Sequence, residues 1–409
     1  MTQAAAIDEL VLLMSLSASR GPRGGLVVTQ KYLNGAAEYA RRWPGRVTSL
    51  ARPSQTLTTD MDHVEVLPGE LTTGLELRPD SSQTLRERLQ SAAAVLAFLS
   101  PQEAPTAQLC REIGVPLVFY SEYSLNTELQ IIAAGTKNPL RRWRKRSWHR
   151  WAESVRIQAL GQAAGLQCSG TPTYDSYRQF NPDVMLFFDN RVPAGGIITN
   201  DELEARLSSL GTGKPLRLVF GGRFIAMKGV MYLPEVAQEL CALGVDFTLD
   251  IVGGGPLETE LRQRIDRLRL SDRVRLRGPM DFATGWVPFL KRETDLFVCC
   301  HPQGDPSSTY SESMSCGTPV VGFANEAFSG TVAISGSGWL TPLGDTRALA
   351  KRIAGLDKDR GSIAAAARKA REFGNEHSFE KTFRRRTEHL IRLSRLAEDT
   401  KRGQRESMT

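Results

Sequence analysis

Arg223 and Lys228 stand five residues apart in GGRFIAMKG, residues 221–229, straight after the apolar run Leu216 to Phe220. Two cations beside glycines at the exit of a strand could hold a pyrophosphate. The guanidinium is a fork donor suited to phosphate oxygens, and the ammonium is a mobile point charge. Gly221 and Gly222 would let the backbone come close to such a ligand. The same residues also fit a plain turn with two solvated bases, and taken alone they leave both readings open. A second glycine turn, DIVGGGPLETEL at 250–261, centres on Gly254 and feeds a helix whose amides could face an anion. As a dinucleotide fingerprint it is incomplete, because Glu258 stands where the third glycine belongs. The third segment, DLFVCCHPQGDPSSTYSESMSCGTPVVGF at 295–323, ends a buried strand and opens a short helix near Ser308, Thr309 and Tyr310. Glu312 has two readings there. It could accept the hydroxyls of a ribose, or it could cap the helix in a Thr309-x-x-Glu312 box, which residue physics favours. GTGKP at 211–215 lacks the glycine and hydroxyl residues of a nucleoside-triphosphate loop.

These residues need strands to carry them. Apolar runs at 10–14, 46–50, 64–67, 93–99, 116–120, 165–169 and 184–188 alternate with amphipathic segments, and a helix is expected over 26–42. The pattern restarts at 216–220 and continues through 247–252, 274–277, 296–300, 319–323 and 338–341. Fully apolar strands between helices predict parallel sheets covered on both faces. The expectation is an α/β chain of two doubly wound, Rossmann-like domains facing across a cleft. Ligands in such sheets bind beyond the carboxyl ends of the strands. The glycine- and proline-containing stretch 193–213 reads as a linker. It divides an acceptor-side domain (1–192) from a nucleotide-sugar domain (214–375), followed by a closing helix (376–397) and a frayed tail (398–409).

The chain has 409 residues and a net charge of +7, which favours an anionic partner. No segment is long and apolar enough to cross a bilayer, and the N-terminus lacks the basic start of a signal peptide. The six cysteines show no CxxC spacing and no clustering with the five histidines. That suggests reduced thiols in a cytoplasmic protein without a metal site. Between Glu128 and Glu153 there is no carboxylate, and RRWRKRSWHRW occupies 141–151. Tryptophan with dense positive charge, from Arg141 to Trp151, suits an anionic membrane interface. Packing of the tryptophans on the sheet is the competing expectation. Nucleic acid is disfavoured because no nucleic-acid module accompanies the segment.

Taken in order, GGRFIAMKG, the IVGGGP turn, RLRGPM at 275–280 and the block ending SESMSCGTPVV resemble the family-4 retaining glycosyltransferases of the GT-B fold. HSFEKTFRRRTEHL at 377–390 is similar to the closing helix of that family, which returns to the first domain. The resemblance implies that Arg223 and Lys228 grip the diphosphate of a sugar nucleotide, a UDP-sugar or GDP-sugar, and that Glu312 holds the ribose. It places the backbone of Gly278 to Met280 near the base. It adds Gly222, Gly254, Ser308, Thr309 and Tyr310 to the donor side, with Gly24 and Gly25 of the GPRGG turn facing the cleft. No cofactor or metal is implied, since fixed cations stabilise the leaving diphosphate. One departure stands out. The family's acidic residue, eight positions before the ribose glutamate, is here Gly304, with Asp305 one residue late. Glu122, in SEY after the strand PLVFY, stands where relatives carry a histidine and could orient an acceptor hydroxyl. The implied reaction is sugar transfer with retention to a glycan, lipid-linked at the inner membrane face. A sugar-nucleotide epimerase of the same fold and a non-catalytic nucleotide-sugar scaffold remain as alternatives.

Overall fold

The computed structural model describes residues 8–56, 63–211 and 213–407. Fifteen strands form two sheets. The first holds β1 (Glu9–Arg20), β2 (Leu26–Thr29), β3 (Arg46–Ser54), β4 (His63–Val66), β5 (Gly74–Leu77), β6 (Ala92–Phe98), β7 (Leu117–Ser121), β8 (Gly165–Ser169) and β9 (Val184–Phe187). The second holds β10 (Leu216–Gly221), β11 (Phe247–Val252), β12 (Val274–Gly278), β13 (Leu296–Cys299), β14 (Val320–Phe323) and β15 (Trp339–Thr341). Its order is β12-β11-β10-β13-β14-β15, parallel throughout. Strand order reverses beside β10, so the loops after β10 and β13 flank the crevice where ligands of doubly wound sheets sit.

In the first sheet the parallel run β1-β6-β7-β8-β9 carries the core. Leu10 to Leu13 are buried because neighbours pair on both sides of β1 and helices cover both faces. The register breaks between Leu13 and Ser17, and there the strand leaves the core. Beyond the break β1 pairs antiparallel with β2, which pairs antiparallel with β4. The sheet is therefore mixed, and the helix expected from residue 26 starts at Gln30 (Gln30–Arg42), capped by Thr29. Val27 and Val28 are β-branched and join the ladder instead.

The stretch between the sheets is not loose. Thr199 and Glu202 form a capping box that starts the helix Asn200–Ser208. From it, buried Arg206 donates to the carbonyls of Leu290, Cys316 and Gly317, pinning the seam to the second sheet. Thr212 of that stretch, and of GTGKP, lies outside the described residues. The last helix, Phe379–Glu406, crosses to the first sheet, where Phe383, Leu390 and Leu393 pack with Leu10, Leu96 and Val118. It continues through 398–406, where fraying is expected, because arginine, lysine, glutamine and glutamate sustain helix well. Residues 408 and 409 lie outside the described residues.

The basic segment lies on the helix Pro139–Leu160. Its buried residues, Ala152, Arg156, Ala159 and Leu160, all fall in the second half. Trp143, Trp148 and Trp151 are 65%, 47% and 57% exposed, so the expectation that they pack on the sheet fails. The helix is anchored by Arg156, which grips Glu128 with both terminal nitrogens at 2.7 Å. Its basic turns are largely exposed, tied down by Arg142, which donates to the Thr136 carbonyl at 2.9 Å, and by His149 beside Glu128.

Candidate functional site

Three adjacent strand ends make the floor of the second half. The Gly222 amide donates to Val252 (3.0 Å), the Phe224 amide to Gly254 (2.8 Å) and the Gly253 amide to Gly278 (2.9 Å). These bonds lace the loops after β10, β11 and β12 together and place Gly222, Gly254 and Gly278 side by side. A Cβ on Gly253 would sit 2.0 Å from the Gly222 carbonyl oxygen, so the lacing requires glycine there. Met280, just beyond Gly278, packs against the Trp286 cluster.

Arg223 leaves this floor exposed, and among the described residues its side chain makes no hydrogen bond or ion pair. Lys228 is held differently. It precedes Gly229, whose left-handed backbone (φ 64°) presses against the Cys300 carbonyl. That contact turns the lysine toward the loop after β13, where its ammonium pairs with Asp305 and lies 3.1 Å from Ser307 Oγ. Burial works against the Asp305 charge, but Lys228, with Arg223 nearby, outweighs it and holds the carboxyl below its usual range.

Gly304 explains why the acidic position has moved. Its amide donates to Gln130 Oε1 (3.0 Å), and its carbonyl accepts from the Thr127 hydroxyl (3.2 Å). Both partners lie on the first-half helix Leu125–Gly135. A Cβ at 304 would already meet Thr127 Oγ1 at 3.0 Å and Glu326 at 3.1 Å. The loop is clasped at this residue, and the next one, Asp305, carries the carboxylate.

Ser307 holds the N-cap position of the helix Ser308–Ser315, without a side-chain capping bond, so the Thr309–Glu312 capping box does not form. Thr309 is already helical. Glu312 instead pairs with Arg191 Nε at 2.6 Å, and the guanidinium of Arg191 lies over the Phe282 ring at 4.1 Å. Ser308 and Thr309 bring their amides to the crevice as first-turn residues. Tyr310 does not offer its side chain. It is 2% exposed, and its hydroxyl accepts from Asn325 Nδ2 (3.2 Å) and lies 3.1 Å from His301 Nδ1. As a donor contact it is corrected to a core residue, drawn inward by those partners.

Across the crevice, the first half contributes a cavity of about 430 Å³. Glu122, after β7, and Asp189, after β9, line it with Lys31, Arg386 and Arg223. The cavity therefore touches both halves. Lys31 reaches Asp189 at 3.3 Å. Asp189 foremost holds the Lys31 ammonium above its usual range, whereas the enclosing walls push the Glu122 carboxyl up. Gly24 and Gly25 are not among the residues lining this cavity. β1 runs twelve residues and carries their turn past the crevice, and Glu65 takes the Gly25 and Arg23 amides at 3.0 and 2.9 Å. That turn is a hairpin closure, and its expected donor role is corrected accordingly.

Sequence reasoning missed Lys31, Asp189, Arg191 and Arg386. Asp189 was within reach, since it follows a legible strand at its carboxyl end. Arg386 gave no signal among Arg384 to Arg386, because only the packing of the last helix decides which of the three points inward.

Comparison with known proteins bears on both halves. Residues 204–373 match the family model described as glycosyl transferases group 1. The putative colanic acid biosynthesis glycosyltransferase WcaL of Escherichia coli (strain K12) is 31% identical over 172 residues, covering 40% of this chain and 42% of that protein. The amylovoran biosynthesis glycosyltransferase AmsK of Erwinia amylovora is 29% identical over 194 residues, covering 44% and 46%. The chain thus aligns with less than half the length of these curated relatives. Anabaena Alr3699/HepE, solved in complex with UDP, superposes with a TM-score of 0.65 at 15% identity, covering 94% of this chain and 99% of that one. The lipopolysaccharide outer core galactosyltransferase WaaB, in its apo form, superposes with a TM-score of 0.61 at 10% identity, over 94% and 99%. At such identities the likeness is one of fold, and it extends over both sheets. Residues 204–373 thus match the group 1 glycosyl transferases, and the chain as a whole has the GT-B fold.

Proposed function

We propose that this chain is a retaining glycosyltransferase that moves a sugar from a UDP-sugar to a glycan acceptor in polysaccharide biosynthesis. The carrying observation is the convergence of Arg223, Lys228 and the first turn of the helix Ser308–Ser315 at one crevice, opposite the cavity that holds Glu122. A diphosphate placed there meets a guanidinium, an ammonium and helix amides at once. Those fixed charges act most strongly as the diphosphate departs, because its negative charge then grows. Asp305 shares Lys228 with the leaving group and lies close to where the sugar ring would sit. Glu312, steadied by Arg191, takes the ribose, with Gly278 and Met280 beside the base. Glu122, its carboxyl raised above the usual range by its surroundings, orients the attacking hydroxyl, and the departing phosphate takes that hydroxyl's proton.

The relatives described as acting in colanic acid and amylovoran biosynthesis support the polysaccharide setting. The structural neighbour solved with UDP and with UDP-glucose supports uridine over guanosine. The exposed tryptophans between six Lys or Arg residues of 141–150 support placement at an anionic membrane face, where each base contributes about 1 kcal/mol. No helix among the described residues is long and apolar enough to cross a membrane, so the contact would be peripheral. A lipid-linked acceptor fits that placement.

The test is nucleotide release from a panel of UDP- and GDP-sugars, with and without a bacterial lipid extract as acceptor source. The reading requires release that depends on the acceptor, and an axial-or-equatorial anomeric configuration in the product that matches the donor. Sugar interconversion without acceptor would indicate an epimerase instead. Binding without any release would indicate a scaffold.

A further inference from the structure

Arg386 is 8% exposed, yet it lines the 430 Å³ cavity. It enters from the last helix and is boxed by aromatic rings. Its guanidinium carbon lies 4.2 Å from the ring centre of Phe187, 5.3 Å from Phe383, 5.5 Å from Tyr39 and 5.9 Å from Tyr120. Its Nε donates to Gln167 Oε1 at 2.8 Å. Among the described residues, neither terminal nitrogen makes a hydrogen bond or ion pair, and Asp189 and Glu122 act on the guanidinium only at longer range. Tyr39, on the same wall, also has a buried hydroxyl without a partner.

A buried guanidinium is costly unless an anion or several acceptors meet it. Ring faces offset part of that cost but leave the fork of N–H donors unused. The neighbouring carboxylates do not contact the fork: Asp189 is engaged by Lys31 at 3.3 Å, and among the described residues Glu122 makes no hydrogen bond or ion pair with Arg386. Arg223, at the cavity mouth, adds a further positive charge. Lys31, Arg223 and Arg386 thus outnumber Asp189 and Glu122 around the cavity, with two donor groups waiting.

We propose that Arg386, helped by the Tyr39 hydroxyl, receives an anionic oxygen group of the acceptor, a carboxylate or a phosphate, and so makes this site selective for acidic acceptors. Two sources share that chemistry: an acidic sugar in the growing glycan, or the phosphate that links a glycan to its lipid. The inference rests on the reading of the cavity as the acceptor side of a sugar-transfer site.

The test is calorimetry on the full chain, saturated with UDP so that the Arg223–Lys228 site is closed to added anions. Methyl glucuronide, methyl glucoside and inorganic phosphate are titrated separately. Binding of the glucuronide, of phosphate or of both is expected, with the glucoside at least tenfold weaker. Glucuronide alone points to an acidic sugar, and phosphate alone to the lipid linkage. Arg386→Gln should weaken the bound anion at least tenfold, with UDP affinity unchanged. Arg386→Lys, which keeps the charge and loses the fork, should weaken it several-fold and serves if the glutamine variant does not fold. Tyr39→Phe should weaken it a few-fold without lowering the melting temperature, which a merely structural role for the pair would not produce. Equal binding of glucoside and glucuronide, unchanged binding by both Arg386 variants, or no anion binding at all would overturn the proposal. Should the wild type fail to bind UDP, the donor reading falls by itself. The same titrations on Arg223→Ala/Lys228→Ala without nucleotide then still report on Arg386.

Discussion

Lys228 meets any incoming diphosphate already paired with Asp305. A competing carboxylate draws on the same ammonium and weakens binding of an anion, while its own charge meets the positive charge that develops on the departing sugar. Asp305→Asn should therefore bind UDP several-fold more tightly in calorimetry, while turnover of the UDP-sugar falls. A second prediction concerns His301, which is fully buried with its Nε2 unpartnered, and whose pKa is pushed down to about 3, foremost by burial and next by Lys228. The unfolded chain takes up a proton near pH 6.5, and the folded chain does not until about pH 3. Stability should thus fall as pH drops through that window, by about 1 kcal/mol between pH 7 and 5.5 from this one residue. Urea titrations at the two pH values should show that loss in the wild type and a smaller one in His301→Asn. At this scale the sequence was informative where chemistry and strand ends coincide, as at Arg223, Lys228 and Asp305. It was silent on partnership. Nothing in the spacing shows that Arg191 covers Glu312, or that Tyr310 turns inward, because both depend on contacts between residues far apart in the chain.

The loops that position these side chains depend on a few close approaches. At Gly229 an added Cβ would lie 1.8 Å from the Cys300 carbonyl oxygen, on a backbone with φ of 64°. Gly229→Ala should cost about 2–4 kcal/mol in urea unfolding and abolish UDP binding, because the loop carrying Lys228 must move. The alternation of apolar runs made most parallel elements legible, including every strand of the second sheet, but not the short β5 that pairs parallel with β3. The antiparallel β2 was not, since its four residues run directly into the helix that follows and share its apolar pattern. The basic helix gives a further prediction. Because Trp143, Trp148 and Trp151 are exposed, replacing all three by alanine should leave the melting temperature within about 2 °C. Sedimentation with vesicles containing a third anionic lipid should fall at least tenfold. Equal sedimentation of both proteins would remove the membrane contact from the account.

Across the whole molecule, the two sheets are joined by more than the cleft ligand. Arg191–Glu312, Thr127–Gly304 and the Asn190–Ser315 bond (2.9 Å) cross between them, and the last helix completes the core of the first sheet. Ending the chain at Ser378 should expose Leu10, Leu96 and Val118, and thermal unfolding should then show an early transition absent from the full chain. Two-domain clefts close around their ligands, and these crossing contacts are the ones that closure would tighten or remake. The central claim is that Arg223 and Lys228 grip the diphosphate of a sugar nucleotide. The most direct measurement is calorimetric titration of UDP into the wild type and into Arg223→Ala/Lys228→Ala. The account predicts micromolar binding to the wild type and at least a hundredfold loss in the double variant with the fold intact. Equal affinity of the two proteins for UDP would contradict it.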